Sequence, residues 1–316
     1  MKNKNIIVTG GLGFIGSNLV KLLIKKGYKV FVVDKLTYAG NLKNLDLIKK
    51  VKIYKTDINN RKEIDKIIKK HKPSTIFNLA AETHVDRSIT GPKNFIKSNI
   101  LGVFNLLEVL RINNKKIKFI HISTDEVFGD IKSGKYSKEE DRYFPSSPYS
   151  SSKAASDLII HSYYRTYKLP VLITNCCNNF GPNQNKEKLL PKMISSLKKN
   201  NYLDLYGNGK NMREWIYVQD HCEALIHLMK KGKLGEQYNI GSGTILNNIN
   251  IINLLKRKYN EISKKKSISK IKFVNDRLGH DLRYALNSSK IKKLGWRSKT
   301  KLNDGLKHTI EWYLKN

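Results

Sequence analysis

Apolar residues follow two rhythms along the first half of the chain, and the two alternate. Short runs rich in Ile, Val and Phe read as buried strands at Asn5–Thr9, Lys29–Val33, Val51–Tyr54, Thr75–Leu79, Lys118–Ser123 and Val171–Asn175. Between them, apolar residues three and four apart read as helices at Ser17–Lys26, Arg61–Lys70, Phe95–Asn113 and Pro148–Lys168. Strands and helices alternating at this interval predict βαβ units and a parallel sheet. Because such crossovers are right-handed, the sheet is expected to be doubly wound. After about Asn178 the segments shorten, and polar loops such as Gly207–Asn211 and Gly241–Asn248 separate them.

The loop after the first strand carries Gly10, Gly13 and Gly16 in a Gly-x-x-Gly-x-x-Gly pattern. Small residues there let a pyrophosphate approach a helix N-terminus, where free N–H groups, including those of Phe14 and Ile15, and the helix dipole favour anions. An acid, Asp34, ends the second strand. A carboxylate at that place hydrogen-bonds a ribose 2′-hydroxyl and repels a 2′-phosphate, so NAD is expected rather than NADP. Asp57 follows the third strand and suits either an adenine edge or a helix N-cap. Leu79, Ala80 and Ala81 end the fourth strand with side chains small enough to leave room for a cofactor. The expected architecture is α/β: a Rossmann-type domain over residues 1–178 and a smaller α+β substrate-binding domain over residues 179–316, with chain crossings between them.

Composition narrows the partners. Hydrophobic residues make up 40% of the 316, enough to bury a core and to exclude wholesale disorder. Lys and Arg number 60 against 26 acids, a formal charge of +34. Such charge attracts phosphate backbones, but only ten of the 60 are Arg, and the lysines are spread along the chain among many Asn and Ile. Those three residues share A/T-rich codons, so codon composition accounts for the charge, and no nucleic-acid partner is expected. Three cysteines without CxxC spacing, no apolar run of ~20 residues, and a strand-like run straight after Met1–Asn5 lead us to expect a cytoplasmic protein without a membrane span. His221 beside Cys222 lacks ligand spacing, and no metal is expected.

Candidate chemistry gathers at the fifth strand's end. Ser123-Thr124-Asp125-Glu126 lies there, and Tyr149 and Lys153 open the next helix four residues apart, on one face. A phenol with a pKa of about 10 is a poor base at neutral pH unless a nearby ammonium stabilises its phenolate. A phenolate so stabilised could take the proton of an alcohol, and Thr124 would hydrogen-bond the same alcohol oxygen. Two adjacent carboxyls can serve as acid and base only if they titrate apart.

Together these residues carry a resemblance that runs nearly end to end. The matching pieces are Thr9–Val20, Asp34–Asn41, Ala80–Ile89, Ser123–Gly129, Tyr149–Ala154, Asn178–Gln184, Lys188–Pro191, Tyr206–Trp215, Tyr238–Gly241 and Asp276–Ala285. The chain resembles the extended short-chain dehydrogenase/reductases, and among them the nucleoside-diphosphate-glucose 4,6-dehydratases. The resemblance implies an NAD-dependent lyase that makes a 4-keto-6-deoxy sugar nucleotide, a usual step toward rhamnose-type sugars. It implies that Tyr149 takes the C4-hydroxyl proton while hydride leaves to NAD. Glu126 then removes the C5 proton as Asp125 protonates the departing C6 hydroxyl, and hydride returns to C6. NAD is thereby regenerated in each turnover. The carboxylate pair argues against the alternatives, a 4-epimerase or a UDP-glucuronate decarboxylase.

For the cofactor the resemblance implies Lys35, Leu36, Thr37, Ile58, Ser98 and Asn179, with Tyr149 and Lys153. For the substrate it implies Thr83, Thr124, Asn178, Lys188, Leu189, Tyr206, Arg213, Asn248, Asp276, Arg277 and His280. Arg213 is suited to a pyrophosphate, with a surface ion pair to Glu214 or Asp220 as the other reading. Leu278 stands where the family has Pro, Phe128 and Phe180 where it has Tyr, and Asn175 and Cys177 where it has Arg and Ser. These departures bear on nucleotide preference more than on reaction type. The wide apolar faces of Phe95–Asn113 and Pro148–Lys168 imply, by the same resemblance, a homodimer joined through a four-helix bundle.

Overall fold

The computed structural model describes residues 4–45, 51–113 and 116–316. In chain order the elements are β1 (Asn5–Thr9), α1 (Phe14–Lys25), β2 (Lys29–Asp34), β3 (Lys52–Lys55), α2 (Arg61–His71) and β4 (Thr75–Asn78). Next come α3 (Val85–Thr90) and α4 (Lys93–Phe95), which runs on through a π-helical turn at Ile96–Leu101 into α5 (Gly102–Asn113). Then follow β5 (Lys118–Thr124), α6 (Pro148–Tyr167), β6 (Val171–Cys176), β7 (Asn178–Phe180), α7 (Leu189–Lys199), β8 (Leu203–Tyr206) and β9 (Met212–Tyr217). The chain closes with α8 (Val218–Lys231), β10 (Gln237–Ile240), β11 (Ile245–Asn247), α9 (Asn248–Ser263), β12 (Ile271–Val274), α10 (Ser289–Lys293) and α11 (Leu302–Lys315).

Seven strands form one parallel sheet in the order β10-β6-β5-β4-β1-β2-β3. The winding reverses between β1 and β4, the place where a doubly wound sheet opens a crevice at its carboxyl edge. The six strands read from the sequence are all present, most with one end moved by a single residue. The seventh, β10, was not foreseen. After α8 the chain returns to pair with β6, so residues 218–240 belong to the large sheet although they follow the first strands of the smaller part. Helices cover both faces. Leu19, Leu22 and Leu23 of α1 and Cys222 and Leu225 of α8 pack in one core layer. Ile64, Ile67 and Ile68 of α2, Leu106 and Leu107 of α5, and Ile160 of α6 pack in the other.

Beyond the sheet's edge, a three-stranded sheet (β11-β9-β7) and a two-stranded one (β12-β8) pack with α7, α9 and α11 around a separate core of Phe180, Met193, Trp215, Leu255 and Ile310. That core faces the carboxyl ends of the large sheet through β7, which follows directly from β6. The helix read as Phe95–Asn113 is interrupted by its π turn, which buries Ser98 and Asn99 and aims them at the crevice. Such inserted residues bulge one face of a helix and often stand at functional sites.

Candidate active site

Two clefts open at the carboxyl edge of the large sheet. The first encloses about 530 Å³ and is lined by Gly10, Gly13, Asp34, Lys35, Thr37, Asp57, Ile58, Leu79, Ala80, Ala81 and Ser98. The glycines are there for physical reasons. Gly10 has φ +67°, and a Cβ on it would stand 2.7 Å from the backbone of Leu79 and Ala80; a Cβ on Gly16 would stand 2.1 Å from the Gly10 carbonyl oxygen. No side chain caps α1 at Gly13, so the first-turn N–H groups of Phe14 and Ile15 are available to an anion. Leu36, also at positive φ (+56°), donates its N–H to Asp34 Oδ1 (2.8 Å), and Leu12 N–H donates to Oδ2 (3.0 Å). Each Asp34 oxygen keeps a lone pair for a ribose diol. A bare cradle, an uncapped helix start and an oriented carboxylate fit NAD.

Asp57 and Asn179 have partners within the chain. Asp57 does not cap α2; Asn60 does, accepting from Glu63 N–H, while Asp57 accepts from Asn59. The Asn179 side chain is engaged away from the first cleft. Its Oδ1 accepts from His221 Nδ1 (2.8 Å) and its Nδ2 donates to the Cys177 carbonyl (2.9 Å), because an inward-turned amide beside a buried imidazole must be paired.

The second cleft encloses about 1000 Å³ and is lined by Glu126, Asn178, Lys188, Leu189, Tyr206, Arg213, Asn248, Arg277 and His280, with Lys192 adding a further cation. The same cleft holds four carboxylates, of which Asp204 pairs with Lys192 and Asp86 stands by Arg277, leaving Lys188 and Arg213 as the cations suited to an anionic ligand. Arg213 is buried and makes no surface ion pair. Its guanidinium donates to the carbonyls of Met212, Asp281 and Leu282 and lies over the Tyr284 ring at 4.3 Å. Thr83 and Asp276 stand outside the lining. Thr83 offers its carbonyl to Lys188 Nζ (2.9 Å), and the Asp276 carboxylate accepts from His280 Nδ1 (2.6 Å), which orients that ring.

The catalytic group is assembled by two element ends. A reciprocal capping box fixes the start of α6, with Ser147 Oγ accepting from Ser150 N–H and Ser150 Oγ from Ser147 N–H, and Pro148 occupies the first helical position. Tyr149 and Lys153 thereby face the end of β5 one turn apart. Thr124 pairs with the Tyr149 phenol and donates to Asp125 Oδ1 (3.1 Å). Asn175 braces the arrangement by donating to the Thr124 carbonyl (3.0 Å).

The adjacent carboxyls differ in their surroundings. Asp125 is fully enclosed, and its Oδ2 is buried without a partner. Burial, then the Glu126 charge, holds it well above the usual carboxylate range, the state of a proton donor. Burial also raises Glu126, but Arg277, Lys188 and Arg213 oppose the rise. Both are raised, Asp125 with Glu126 as a second cause and Glu126 with three cations opposing. Tyr149 is pushed well up, first by burial and then by Glu126. The ammonium expected beside the phenol points elsewhere: Lys153 Nζ bonds the Ile122 carbonyl (2.8 Å) and His121 Nε2 (3.0 Å). Burial lowers Lys153 to about 8.

Some site residues escaped the sequence reading. Tyr284 lines the second cleft and donates its hydroxyl to Asp281 Oδ2 (2.6 Å); it lies inside the matching run Asp276–Ala285, which could have pointed to it. Glu187 lines the same cleft, beside His84, which the sequence places among the substrate-side residues with plain packing as the other reading. Asn99 fixes the Glu82 backbone through both N–H and C=O and donates to Ser152 Oγ (2.8 Å), binding the first cleft's wall to α6. No local pattern announces Asn99, since the π turn places it. Among the described residues no group of three or more His, Cys, Asp or Glu could hold a metal.

A doubly wound sheet with a glycine cradle, a Tyr-x-x-x-Lys helix start and a cation-lined second cleft defines a short-chain dehydrogenase/reductase of the kind that acts on sugar nucleotides. Residues 7–309 match the family model described as GDP-mannose 4,6 dehydratase, and the chain belongs to that family. It is 44% identical to a dTDP-glucose 4,6-dehydratase of Escherichia coli, over 98% of this chain and 94% of that one. It is 43% identical to a probable dTDP-glucose 4,6-dehydratase of Sinorhizobium fredii, over 98% and 93%. The solved dTDP-glucose 4,6-dehydratase of Streptomyces venezuelae, crystallised with NAD, superposes with a TM-score of 0.92 at 40% identity, covering 99% of this chain and 97% of that one.

Proposed function

We propose that this protein is an NAD-dependent lyase that dehydrates a nucleoside-diphosphate glucose to the 4-keto-6-deoxy sugar nucleotide. The observation that carries the reading is the pair Asp125 and Glu126 at the end of β5, beside Tyr149. One carboxyl is held protonated by burial with an unpaired oxygen, and the other is steadied by three cations. Elimination of water needs such an acid and base on neighbouring carbons. A 4-epimerase needs neither, so the pair disfavours that alternative.

The first cleft holds NAD through the glycine cradle, Asp34 and the Leu79–Ala81 wall. When bound there, NAD supplies a reversible two-electron acceptor. The rest is the work of the chain. Arg213, Lys188 and Arg277 bind the diphosphate, and Asn248 and Tyr206 line its nucleoside end. Thr124 and Tyr149 grip the C4 oxygen, and Tyr149 removes its proton. Glu126 takes the C5 proton once C4 is a ketone, and Asp125 delivers its proton to the C6 hydroxyl so that it leaves as water. Glu126 gives its proton back to C5 when the hydride taken from C4 is returned to C6, and the proton that Tyr149 gained makes good the one that Asp125 gave up, so all three groups end the cycle as they began it. Residues 1–178 with the returning segment 218–240 supply the redox half, and the rest of residues 179–316 the nucleotide half. The relatives' names favour thymidine as the base.

Leu101, Phe104 and Leu158 are exposed apolar residues on the outer faces of α5, its π turn and α6. They support a homodimer through these helices, and Leu158→Glu should yield monomers by light scattering. Three buried free cysteines support a cytoplasmic setting.

Purified protein with NAD and dTDP-glucose should develop the alkali-induced absorbance of a 4-keto sugar. Formation of the C4 epimer instead would overturn the assignment. Asp125→Asn should retain C4 oxidation, seen as accumulated 340 nm absorbance, while product formation drops by a factor of about 10²–10⁴. Full turnover by Asp125→Asn would remove Asp125 from its role. The ratio of kcat/KM for dTDP-glucose and UDP-glucose tests the choice of base.

A further inference from the structure

The amine of Lys153 has a neighbour that the proposed mechanism does not use. His121 lies on β5, two residues before Ser123, and is buried against the sheet. It belongs to a ladder of side chains in register across three strands: Thr9 on β1 opposite Asn78 on β4, and Asn78 opposite His121 on β5. The contacts are continuous. Thr9 Oγ1 and Asn78 Oδ1 are 2.6 Å apart, Asn78 Nδ2 and His121 Nδ1 3.0 Å, and His121 Nε2 and Lys153 Nζ 3.0 Å. Thr9 directly precedes the glycine cradle, and Asn78 directly precedes the Leu79–Ala81 wall.

The chemistry of the ring decides what this ladder does. Burial, with the Lys153 charge acting the same way, holds His121 far below the ordinary imidazole range, so the ring is neutral. A neutral imidazole offers one lone pair. Two donors face it: the Asn78 amide nitrogen and the Lys153 amine. Placing the ring proton on Nε2 would set it against a buried ammonium. Placing it on Nδ1 requires only that the Asn78 amide present its oxygen instead of its nitrogen, a half-turn that leaves Nδ2 for Thr9 Oγ1. The second arrangement pairs the ring, the amide and the charged amine in one chain.

We infer that His121 is a positioning residue whose Nε2 lone pair, fixed by Asn78, holds the Lys153 amine as a charged group one turn below Tyr149. The inference rests on the Tyr149–Lys153 reading given above. Asp157 supplies a charge that favours the Lys153 ammonium, and His121 supplies the directed acceptor at 3.0 Å. On α6, Asp157 is 3.6 Å from His121 Nε2, and its Oδ2 is taken by Ser123 (2.6 Å) and by Tyr143 (3.1 Å). Also on α6, Ser156 Oγ donates to the Lys153 carbonyl (2.8 Å), and Tyr149 is paired with Thr124. Cys176 on β6 is a buried thiol pushed up to about 12, hence neutral. Asp125, at the end of β5, is the protonated acid. Without His121 the ammonium keeps the Ile122 carbonyl and the Asp157 charge but loses its directed acceptor, and the helix face one turn from Tyr149 loses a fixed positive charge.

Two measurements test this. In His121→Leu, kcat at pH 7 should fall by about one to two factors of ten, and the acid limb of the kcat profile should move up by about one pH unit. KM for the sugar nucleotide should stay within about twofold, because His121 touches neither cleft. His121→Gln, which restores an acceptor near the Nε2 position, should recover most of the rate and return the limb; a purely structural role would change stability without moving it. Unmoved limbs in His121→Leu, or no recovery in His121→Gln, would overturn the inference. The second measurement needs no variant of His121 to fold. In ¹⁵N-histidine-labelled wild type, the His121 ring should show an unprotonated Nε2 whose shift changes in Lys153→Met. A protonated Nε2 or an imidazolium would overturn it. Absence of any 4-keto product from the wild type would instead sink the dehydratase reading, and the nitrogen spectrum would still report on His121.

Discussion

Burial raises both adjacent carboxyls, with three cations opposing at Glu126, and α6 carries a third buried acid that makes the same point for stability. Asp157 has no exposed surface and is raised to about 6, first by burial, with Lys153 and the Ser123 and Tyr143 hydroxyls opposing. The unfolded chain releases this proton near pH 4 and the folded chain near 6, so between those values the unfolded state binds fewer protons. The Asp157 contribution to stability is therefore greatest below pH 4 and declines as pH rises to about 6. Asp157→Asn should flatten that stretch of the pH–stability curve, as read from urea midpoints at half-unit intervals. An unchanged slope would show that the carboxyl is ionised throughout. At this scale the sequence was a partial guide. Tyr149, Lys153, Thr124 and the acid pair were legible because they sit at fixed offsets on consecutive element ends. The direction of the Lys153 amine was not, since it depends on His121, 32 residues earlier in the chain but adjacent in space.

Elements were legible where periodicity is local and obscure where it is not. Strands β1, β2, β4, β5 and β6 announce themselves by dense apolar runs buried on both faces, as a parallel sheet requires, while β3 at the sheet edge is only half buried. Strand β10 reads Gln-Tyr-Asn-Ile, short and half polar, and nothing nearby shows that it pairs with β6 rather than with the strands around it in sequence. The π turn at Ile96–Leu101 was hidden because one extra residue barely disturbs helical spacing. The glycine turn was legible because three glycines coincide with a strand end and a helix start. It also yields an element-level prediction. In Gly16→Ala the new Cβ meets the Gly10 carbonyl oxygen at 2.1 Å, and backbone has to move. The helix start shifts off the pyrophosphate position. The variant should fold, with circular dichroism like the parent, yet bind NAD at least about tenfold more weakly, a loss of about 1.4 kcal/mol by fluorescence titration. Parental affinity would show that the first turn of α1 does not contact the cofactor.

Across the whole molecule, the two clefts are tied together near their mouths by exposed side chains from both parts. The Arg87 guanidinium of α3 lies 3.9 Å from the Tyr38 ring centroid, in the loop beside Asp34, and hydrogen-bonds Glu187 ahead of α7. The Tyr206 hydroxyl of β8 donates to Asp86 Oδ2 of α3 (3.2 Å), and Lys188 reaches the Thr83 carbonyl. Exposed ion pairs of this kind contribute about 0–1 kcal/mol to stability, so the fold does not depend on them. Their effect is on freedom of movement, because they join the segment over the adenosine end of the first cleft to the segment that walls the second. A reaction that uses and restores the same NAD within each turnover gains from such a tie, since cofactor lost midway leaves the ketone stranded. Arg87→Ala should therefore keep its thermal midpoint within a degree or two of the parent while losing bound NAD faster. The check is the fraction of NAD retained after gel filtration, together with the rate at which labelled NAD exchanges in. Equal retention with an unchanged midpoint would reduce the Tyr38–Arg87–Glu187 contact to surface decoration and leave cofactor retention to the glycine cradle and Asp34 alone.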